Sequence, residues 1–234
     1  MIRSKNLILI AISLFLTAQM LLVVCIFQTK AGDGDLLRLL TMIASCLFCL
    51  LFIDRSCRYV TTQIAFLMAL IGDIFLVLPS DPAQIQGILF FTLSHLAYAA
   101  RLYISEVRPI YRKMQIITRI TVSAMILIVA IFVLGERNDA VALISVLYYV
   151  NLILNFCFAC TQFRKQSLMA IGLCLFIISD TILGLSFLDP YLTLKNNSIL
   201  DFIIHSGFDF IWAFYIPAQI LLVFSLLPKH WRKI

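Results

Sequence analysis

The sequence predicts an all-α polytopic membrane protein, a bundle of about eight transmembrane helices in a single domain that covers residues 1–234. Hydrophobic residues make up 62% of the 234 and charged residues only 13%, and the mean hydropathy is +1.03. Soluble domains of this length do not have that balance. The apolar runs are unbroken and lack the alternation of barrel strands, so the spans are expected to be helices.

Eight apolar stretches are separated by short segments rich in turn-forming residues, so we expect no extramembrane domain. The first stretch, Asn6–Thr29, follows Arg3 and Lys5 as a signal peptide would. Its 24 residues carry no charge and exceed a signal core, and no clear cleavage site follows, so we interpret it as a retained span. The expected spans are about 7–27, 36–53, 60–78, 83–104, 115–134, 140–160, 167–188 and 202–227.

Lysine and arginine are distributed unequally between the two sides of the predicted bundle. If the N-terminus is cytoplasmic, that side carries fourteen of the 18 Lys and Arg residues and the other side carries four. Positive residues concentrate on the cytoplasmic side, so both termini are expected there. The membrane would be the inner membrane of a bacterium or the endoplasmic reticulum membrane of a eukaryote. The same bias accounts for the net charge of +6, so no nucleic acid partner is expected.

Seven cysteines include two C-x-x-C pairs, Cys46/Cys49 and Cys157/Cys160. Both pairs lie inside apolar helical runs, where the turn of a zinc knuckle is absent. We interpret them as small thiols that pack between helices. Neither a metal nor a cofactor is expected from this pattern.

Carboxyl groups lie inside the apolar spans, where an unpaired charge is costly and therefore indicates a functional site. At a rise of about 1.5 Å per residue, Asp73 lies about 8 Å and Asp180 about 12 Å inside the outer boundary. Asp209 at about 12 Å and His205 at about 6 Å occupy the same layer in the last span. His95 lies deeper, near the midplane. We therefore expect a polar cavity in the outer half of the membrane.

Further polar residues share helical faces with these groups and are expected to support the site or to bind substrate. Tyr98 follows His95 by three positions in the fourth span. Tyr148, Asn151, Asn155 and Gln162 share one stripe of the sixth span, and Gln219 lies on the stripe of the eighth. The alternative for the amide side chains is interhelical hydrogen bonding that stabilises the bundle.

Spans three and seven carry a similar short pattern, a small residue followed by Asp-x-x-Leu. It occurs at Gly72–Leu76 and at Ser179–Leu183, and in each case the next span contains a histidine. Two such spans, four apart, are typical of a four-plus-four internal repeat.

Four segments together resemble the YhhN-type lysoplasmalogenase family: LIGDIFLVLP (Leu70–Pro79), SHLAY (Ser94–Tyr98), FIISDTILG (Phe176–Gly184) and FYIPAQ (Phe214–Gln219). They occur in that order on spans three, four, seven and eight, so the resemblance covers the chain from about residue 65 onward. It implies an eight-span membrane hydrolase that cleaves the vinyl ether bond of lysoplasmalogens. The products would be a fatty aldehyde and a glycerophospho-ethanolamine or -choline, and the partners would be this lysophospholipid and the membrane lipids.

The resemblance also implies which residues act. The two intramembrane aspartates of the family, taken as its catalytic pair, fall on Asp73 and Asp180. The last motif of the family has a tyrosine before an Ala-Gln, which corresponds to Tyr215, although Pro217 interrupts the motif here.

A pair of carboxyl groups suits vinyl ether hydrolysis, because the reaction needs an acid to protonate carbon and a base to orient water, as in glycosidases. The acid must stay protonated near neutral pH, which burial and a neighbouring anion favour. We expect Asp180 to be the acid, since it lies deeper, and Asp73 to be the base. Asp209 beside His205 is expected to have a supporting role.

Two other functional classes fit parts of the pattern. A proton-coupled small-molecule transporter also places Asp and His in mid-membrane. A zinc-dependent intramembrane lipid hydrolase would use His205 and Asp209, four residues apart, with His95 as a third ligand. No G-x-S-x-G segment occurs, which argues against a serine hydrolase.

Overall fold

The computed structural model describes residues 5–29, 34–51, 57–79, 83–135, 139–188, 202–203 and 208–227. Within these ranges the chain forms helices and turns and no strand. The helices are α1 (Lys5–Gln28), α2 (Asp35–Leu51), α3 (Cys57–Val77), α4 (Gln84–Ser105), α5 (Pro109–Leu134), α6 (Ala140–Thr161), α7 (Phe163–Leu188) and α8 (Phe210–Phe224).

Six of the described helices, α1 and α3 to α7, are long and apolar enough to cross a membrane. Helix α8 is apolar but has 15 residues, and α2 has 17. The prediction of an all-helical, integral multi-pass membrane protein is therefore confirmed.

Most helices begin and end within a few residues of the predicted spans, but α5 and α8 do not. Helix α5 begins at Pro109, about six residues early, because proline is well tolerated in the first helical turn, where its missing N–H has no partner to lose. Helix α8 begins at Phe210, so the prediction of a helix that runs through Asp209 is wrong. The carboxylate of Asp209 accepts a hydrogen bond from the backbone N of Trp212 at 3.3 Å. A short carboxylate side chain is better suited to a helix N-cap than to a helix interior.

The helices pack most extensively in two consecutive pairs, α3 against α4 and α7 against α8. Helix α5 contacts mainly α6, and Gln115 is its one buried residue. Glycines allow the close contact of α3 with α4. A Cβ added to Gly72 would lie 2.8 Å from the ring of Phe91, and one added to Gly87 would lie 2.6 Å from Leu76. The ring of Phe91 therefore packs directly against α3 at Gly72.

A fully buried arginine connects the helices at the end of the bundle where α4 ends. Arg101 donates to the hydroxyl of Thr62 on α3 at 3.2 Å and to the side-chain oxygen of Gln166 on α7 at 3.2 Å. It also donates to the backbone oxygen of Ser225, just beyond α8, at 3.1 Å. Because a buried guanidinium is costly unless its donors are used, this residue fixes four helices relative to one another.

The connection between α4 and α5 carries an ion pair that lies outside the apolar spans. Glu106 accepts two bonds from the Arg108 side chain, at 2.9 Å each. The hydrogen bond from Arg108 lowers the pKa of Glu106 to about 2, so the pair stays charged through the physiological range.

Candidate active site

A cavity of about 890 Å³ lies at one end of the bundle. Its lining comes from the beginnings of α2, α4, α6 and α8 and from the later halves of α3, α5 and α7. Successive helices run in opposite directions across a bundle, so all these segments lie at the same end. Most of the lining side chains are apolar, and the polar ones include both aspartates of the short motifs, Asp73 and Asp180.

Asp73 is held by a tyrosine from the last helix. The hydroxyl of Tyr215 donates to Oδ2 of Asp73 at 2.8 Å, and the Asp73 side chain is only 4% exposed. Helix α8 stays helical through Pro217, which is exposed, so the proline does not displace Tyr215 from the site. The ring of Tyr215 packs against Trp212 at 5.0 Å and Phe176 at 5.1 Å between centroids, which fixes the direction of its hydroxyl.

Asp180 has a tyrosine partner of its own. The hydroxyl of Tyr148 on α6 donates to Oδ2 of Asp180. Asp180 is half-buried and lines the same cavity as Asp73. The two carboxyl groups thus share one cavity, and each is bound to a different phenol on a different helix.

A third charged group in the cavity is Arg38, near the beginning of α2. Its Nη1 donates to Asp35, one turn earlier, and its Nη2 donates to Asp209 at the N-cap of α8. Arg38 and Asp35 line the cavity, as does Trp212, whose ring centroid lies 6.0 Å from the Arg38 guanidinium carbon. We did not single out Arg38 from the sequence. One sequence feature could have indicated it: Asp35 and Arg38 form an i, i+3 pair of opposite charges at the beginning of the second predicted span.

His95 lies behind the cavity and does not belong to its described lining. It is fully buried, with its ring 5.3 Å from that of Tyr148 and 5.1 Å from that of Phe176. Asn155 donates to the backbone oxygen of His95 at 2.8 Å and accepts from Arg119 at 2.7 Å. The arrangement places an arginine, an amide and an imidazole in a row behind the Tyr148 ring. These residues are placed to hold the tyrosine that contacts Asp180.

The sequence model of the YhhN family matches residues 35–226, which is most of the chain. The chain belongs to the YhhN family. Every residue of the cavity lining falls within the matched segment, and α1, which precedes it, contributes nothing to that lining. A search of the curated proteins and a search of the solved structures returned no match. The resemblance to this family read from the sequence is confirmed.

Several residues expected at the site lie elsewhere in this YhhN protein. Tyr98 is buried against Phe66 and His95, and its hydroxyl has no hydrogen-bond partner among the described residues. Asn151 donates to the carbonyl of Leu147 in its own helix at 2.9 Å. Gln219 is buried on α8, and none of these three lines the described cavity. The prediction for His205 lies outside the described residues.

Within the described ranges, no group of three or more His, Cys, Asp or Glu side chains is placed to bind a metal ion. The zinc site expected as an alternative includes His205, and so it lies partly outside those ranges.

Proposed function

We propose that this protein is a lysoplasmalogenase, which hydrolyses the vinyl ether bond of an alkenyl lysophospholipid by aspartate acid–base catalysis. One observation carries the proposal. In a YhhN family member, Asp73 and Asp180 face a single apolar cavity, each hydrogen-bonded to a tyrosine hydroxyl. A cavity of about 890 Å³ is within the size range of sites that enclose small ligands.

The reaction begins with a proton transfer to carbon. One carboxylic acid protonates the second carbon of the alkenyl chain, and the cation that results is an oxocarbenium ion at the first carbon. The other carboxylate takes a proton from water as the water oxygen bonds to that first carbon, which gives a hemiacetal. The hemiacetal hydroxyl returns its proton to the first carboxylate, while the second carboxylic acid protonates the leaving glycerol oxygen. One water is consumed, and both groups return to their starting forms.

Burial favours Asp73 as the acid. A carboxyl group removed from water is less costly in its neutral form. Asp73 is 4% exposed, whereas Asp180 is half-buried and open to the cavity. Tyr215 occupies Oδ2 of Asp73, which leaves Oδ1 to carry the proton toward substrate. We therefore assign the base role to Asp180, the reverse of the order expected from depth along the helices.

The walls of the cavity suit an alkenyl chain that arrives from the bilayer. Ile126 on α5 and Ile153 on α6 line the cavity, and both are 39% exposed. We propose that an apolar chain enters the cavity from the bilayer beside these two residues. The carboxyl pair would meet the polar end of that chain, where the vinyl ether lies.

We also propose the finer topology. The protein has eight spans, counting the shorter α2 and α8, with both termini in the cytoplasm as the Lys and Arg bias predicts. The cavity then lies in the outer half of the membrane. The consecutive pairing of α3 with α4 and of α7 with α8 supports a four-plus-four repeat, with one catalytic aspartate in each half.

The proposed chemistry is tested by the fate of a solvent proton. Purified protein in D₂O is incubated with lysoplasmenyl-ethanolamine, and the aldehyde is trapped as it forms and analysed by mass spectrometry. One deuterium should appear on the carbon next to the aldehyde, because protonation of carbon comes from the enzyme. The saturated alkyl ether and the acyl ester of the same lipid are matched controls and should be inert. Absence of aldehyde, together with proton flux into liposomes that contain the protein, would favour the transporter instead.

A further inference from the structure

The guanidinium of Arg38 lines the cavity and has more N–H donors than its two carboxylate partners use. A guanidinium has five N–H donors, and here one goes to Asp35 and one to Asp209. The Nε of Arg38 is buried and has no partner among the described residues. The Arg38 side chain is 16% exposed, so bulk water reaches little of it. A buried charged donor without an acceptor is costly, and therefore the group is suited to an anionic ligand.

The charges around Arg38 suit a ligand that also carries a cation. Two carboxylates flank the single guanidinium, so the cluster has a local excess of negative charge. Asp35 is the more exposed of the two, at 38%. The indole of Trp212 adds an aromatic face to the same part of the lining, and such faces attract ammonium groups. Phosphate on the free donors of Arg38 and ammonium against Asp35 and Trp212 would satisfy both signs of charge.

The Arg38 cluster and the carboxyl pair belong to one cavity lining, and Trp212 and Tyr215 connect them by ring contacts. Trp212 lies 6.0 Å from the Arg38 guanidinium carbon and its ring lies 5.0 Å from that of Tyr215. Tyr215 in turn donates to Asp73. In a lysoplasmalogen five bonds separate the vinyl ether oxygen from phosphorus, and since three bonds span about 3.8 Å, these five span roughly 6 Å. Because both groups line one cavity, we place the phosphate at Arg38 and the vinyl ether toward the carboxyl pair.

We propose that Arg38, Asp35 and Trp212 form the head-group subsite, which binds a phosphodiester that bears a primary ammonium. The proposal rests on the proposed function in one respect, which is that the bond to be cleaved is the vinyl ether. The competing interpretation is that Arg38 has only a structural role and connects α2 to α8 through its ion pair with Asp209. If the role is structural, substitution of Arg38 affects the kinetics of every substrate equally. If Arg38 belongs to a subsite, the substitution affects only substrates that carry the head group.

The kinetic test compares three vinyl ether substrates: lysoplasmenyl-ethanolamine, the alkenyl glycerol phosphate that lacks ammonium, and the alkenyl glycerol that lacks phosphate. Arg38→Gln should raise KM about ten- to a hundredfold for the two phosphate substrates and leave the alkenyl glycerol unchanged. Asp35→Asn should raise KM only for the ethanolamine lipid. Arg108→Gln removes an arginine of an ion pair far from the cavity lining and should change none of the three values. Equal losses on all three substrates in Arg38→Gln would overturn the subsite.

A binding test does not require turnover and separates this proposal from the reaction. The thermal stability of the wild-type protein in detergent is measured with lysophosphatidylethanolamine, lysophosphatidic acid, monoacylglycerol and free glycerophosphoethanolamine. The ethanolamine lipid should stabilise most and monoacylglycerol least. Free glycerophosphoethanolamine should act only at far higher concentration, because it lacks the chain. Equal stabilisation by the ethanolamine lipid and by monoacylglycerol would refute the subsite even if aldehyde is released. If the ligands stabilise the protein in the expected order but no aldehyde is released, the head-group subsite stands and the proposed reaction is wrong. Arg38→Lys keeps the positive charge and should retain part of the preference, and it serves where Arg38→Gln does not fold.

Discussion

Replacing Tyr215 by phenylalanine removes one hydroxyl and changes little else. That hydroxyl donates to Asp73 at 2.8 Å, and the carboxyl group is 4% exposed, so water cannot easily replace it. Removal of one partner from a buried polar pair costs about 1–3 kcal/mol. At about 1.4 kcal/mol per factor of ten, kcat/KM should fall roughly 5- to 150-fold. The ring contacts with Trp212 and Phe176 remain, so the variant should still fold and elute as the wild type does.

The matched control is Tyr98→Phe. Tyr98 is as deeply buried, but its hydroxyl has no partner among the described residues and does not line the cavity. Loss of an unpaired hydroxyl is close to neutral, so aldehyde release should stay within about twofold of wild type. The reasoning fails if Tyr98→Phe loses as much as Tyr215→Phe, or if Tyr215→Phe retains full activity.

Three further predictions concern topology, metal and the cluster at α8. A reporter fused after Ile234 should read cytoplasmic and one inserted near Asn197 should read external, and the opposite pattern would move the cavity to the inner half of the membrane. Aldehyde release should survive a strong zinc chelator, because two carboxyl groups suffice for the chemistry. A loss of aldehyde release that added zinc restores would instead indicate that His95, His205 and Asp209 are metal ligands. Asp209→Asn should reduce kcat/KM less than either Asp73→Asn or Asp180→Asn, since Asp209 caps a helix and acts through Arg38; equal loss in the same assay would place it in the reaction.

The helical membrane fold and the meeting of Asp73 with Asp180 could both be anticipated from the sequence. Hydropathy marks where each span begins and ends, and a fixed rise per residue converts position into depth. Two aspartates near the ends of spans that run in the same direction must therefore lie in one layer. Their sharing of one cavity follows if the two helices are near each other in the bundle.

The partners of the aspartates could not be anticipated in the same way. Depth along an axis does not give the rotation of one helix against another. The polar stripe of the sixth span includes Tyr148, but it does not indicate that Tyr148 faces Asp180 or that His95 lies behind it. Burial is also a tertiary property. Asp73 lies nearer the end of its helix than Asp180, yet it is the less exposed of the two, and Tyr215 from α8 is bound to its carboxyl group.

The beginning of the eighth span illustrates a different limit of prediction from hydropathy. Residues 202–209 are apolar enough on average to be included in a span, and the hydropathy window does not register one capping side chain. Asp209 begins the helix because its carboxylate accepts from the backbone N of Trp212. At the end of its helix, Asp209 forms an ion pair with Arg38 of α2. This pair could not be predicted from the sequence of either helix by itself.

The central claim is that Asp73 gives its proton to carbon while Asp180 orients water, and paired Asn substitutions test it most directly. Asp73→Asn, Asp180→Asn and the double variant are purified, checked for folding by size exclusion and melting, and assayed for aldehyde release from lysoplasmenyl-ethanolamine. Each single variant should lose about a hundred- to ten-thousandfold in kcat, because Asn can neither donate a carboxylic proton nor carry charge. The double variant should be little worse than either single one, since the two groups act as a unit. A folded Asp73→Asn protein that still releases aldehyde at a rate near that of wild type would contradict the account.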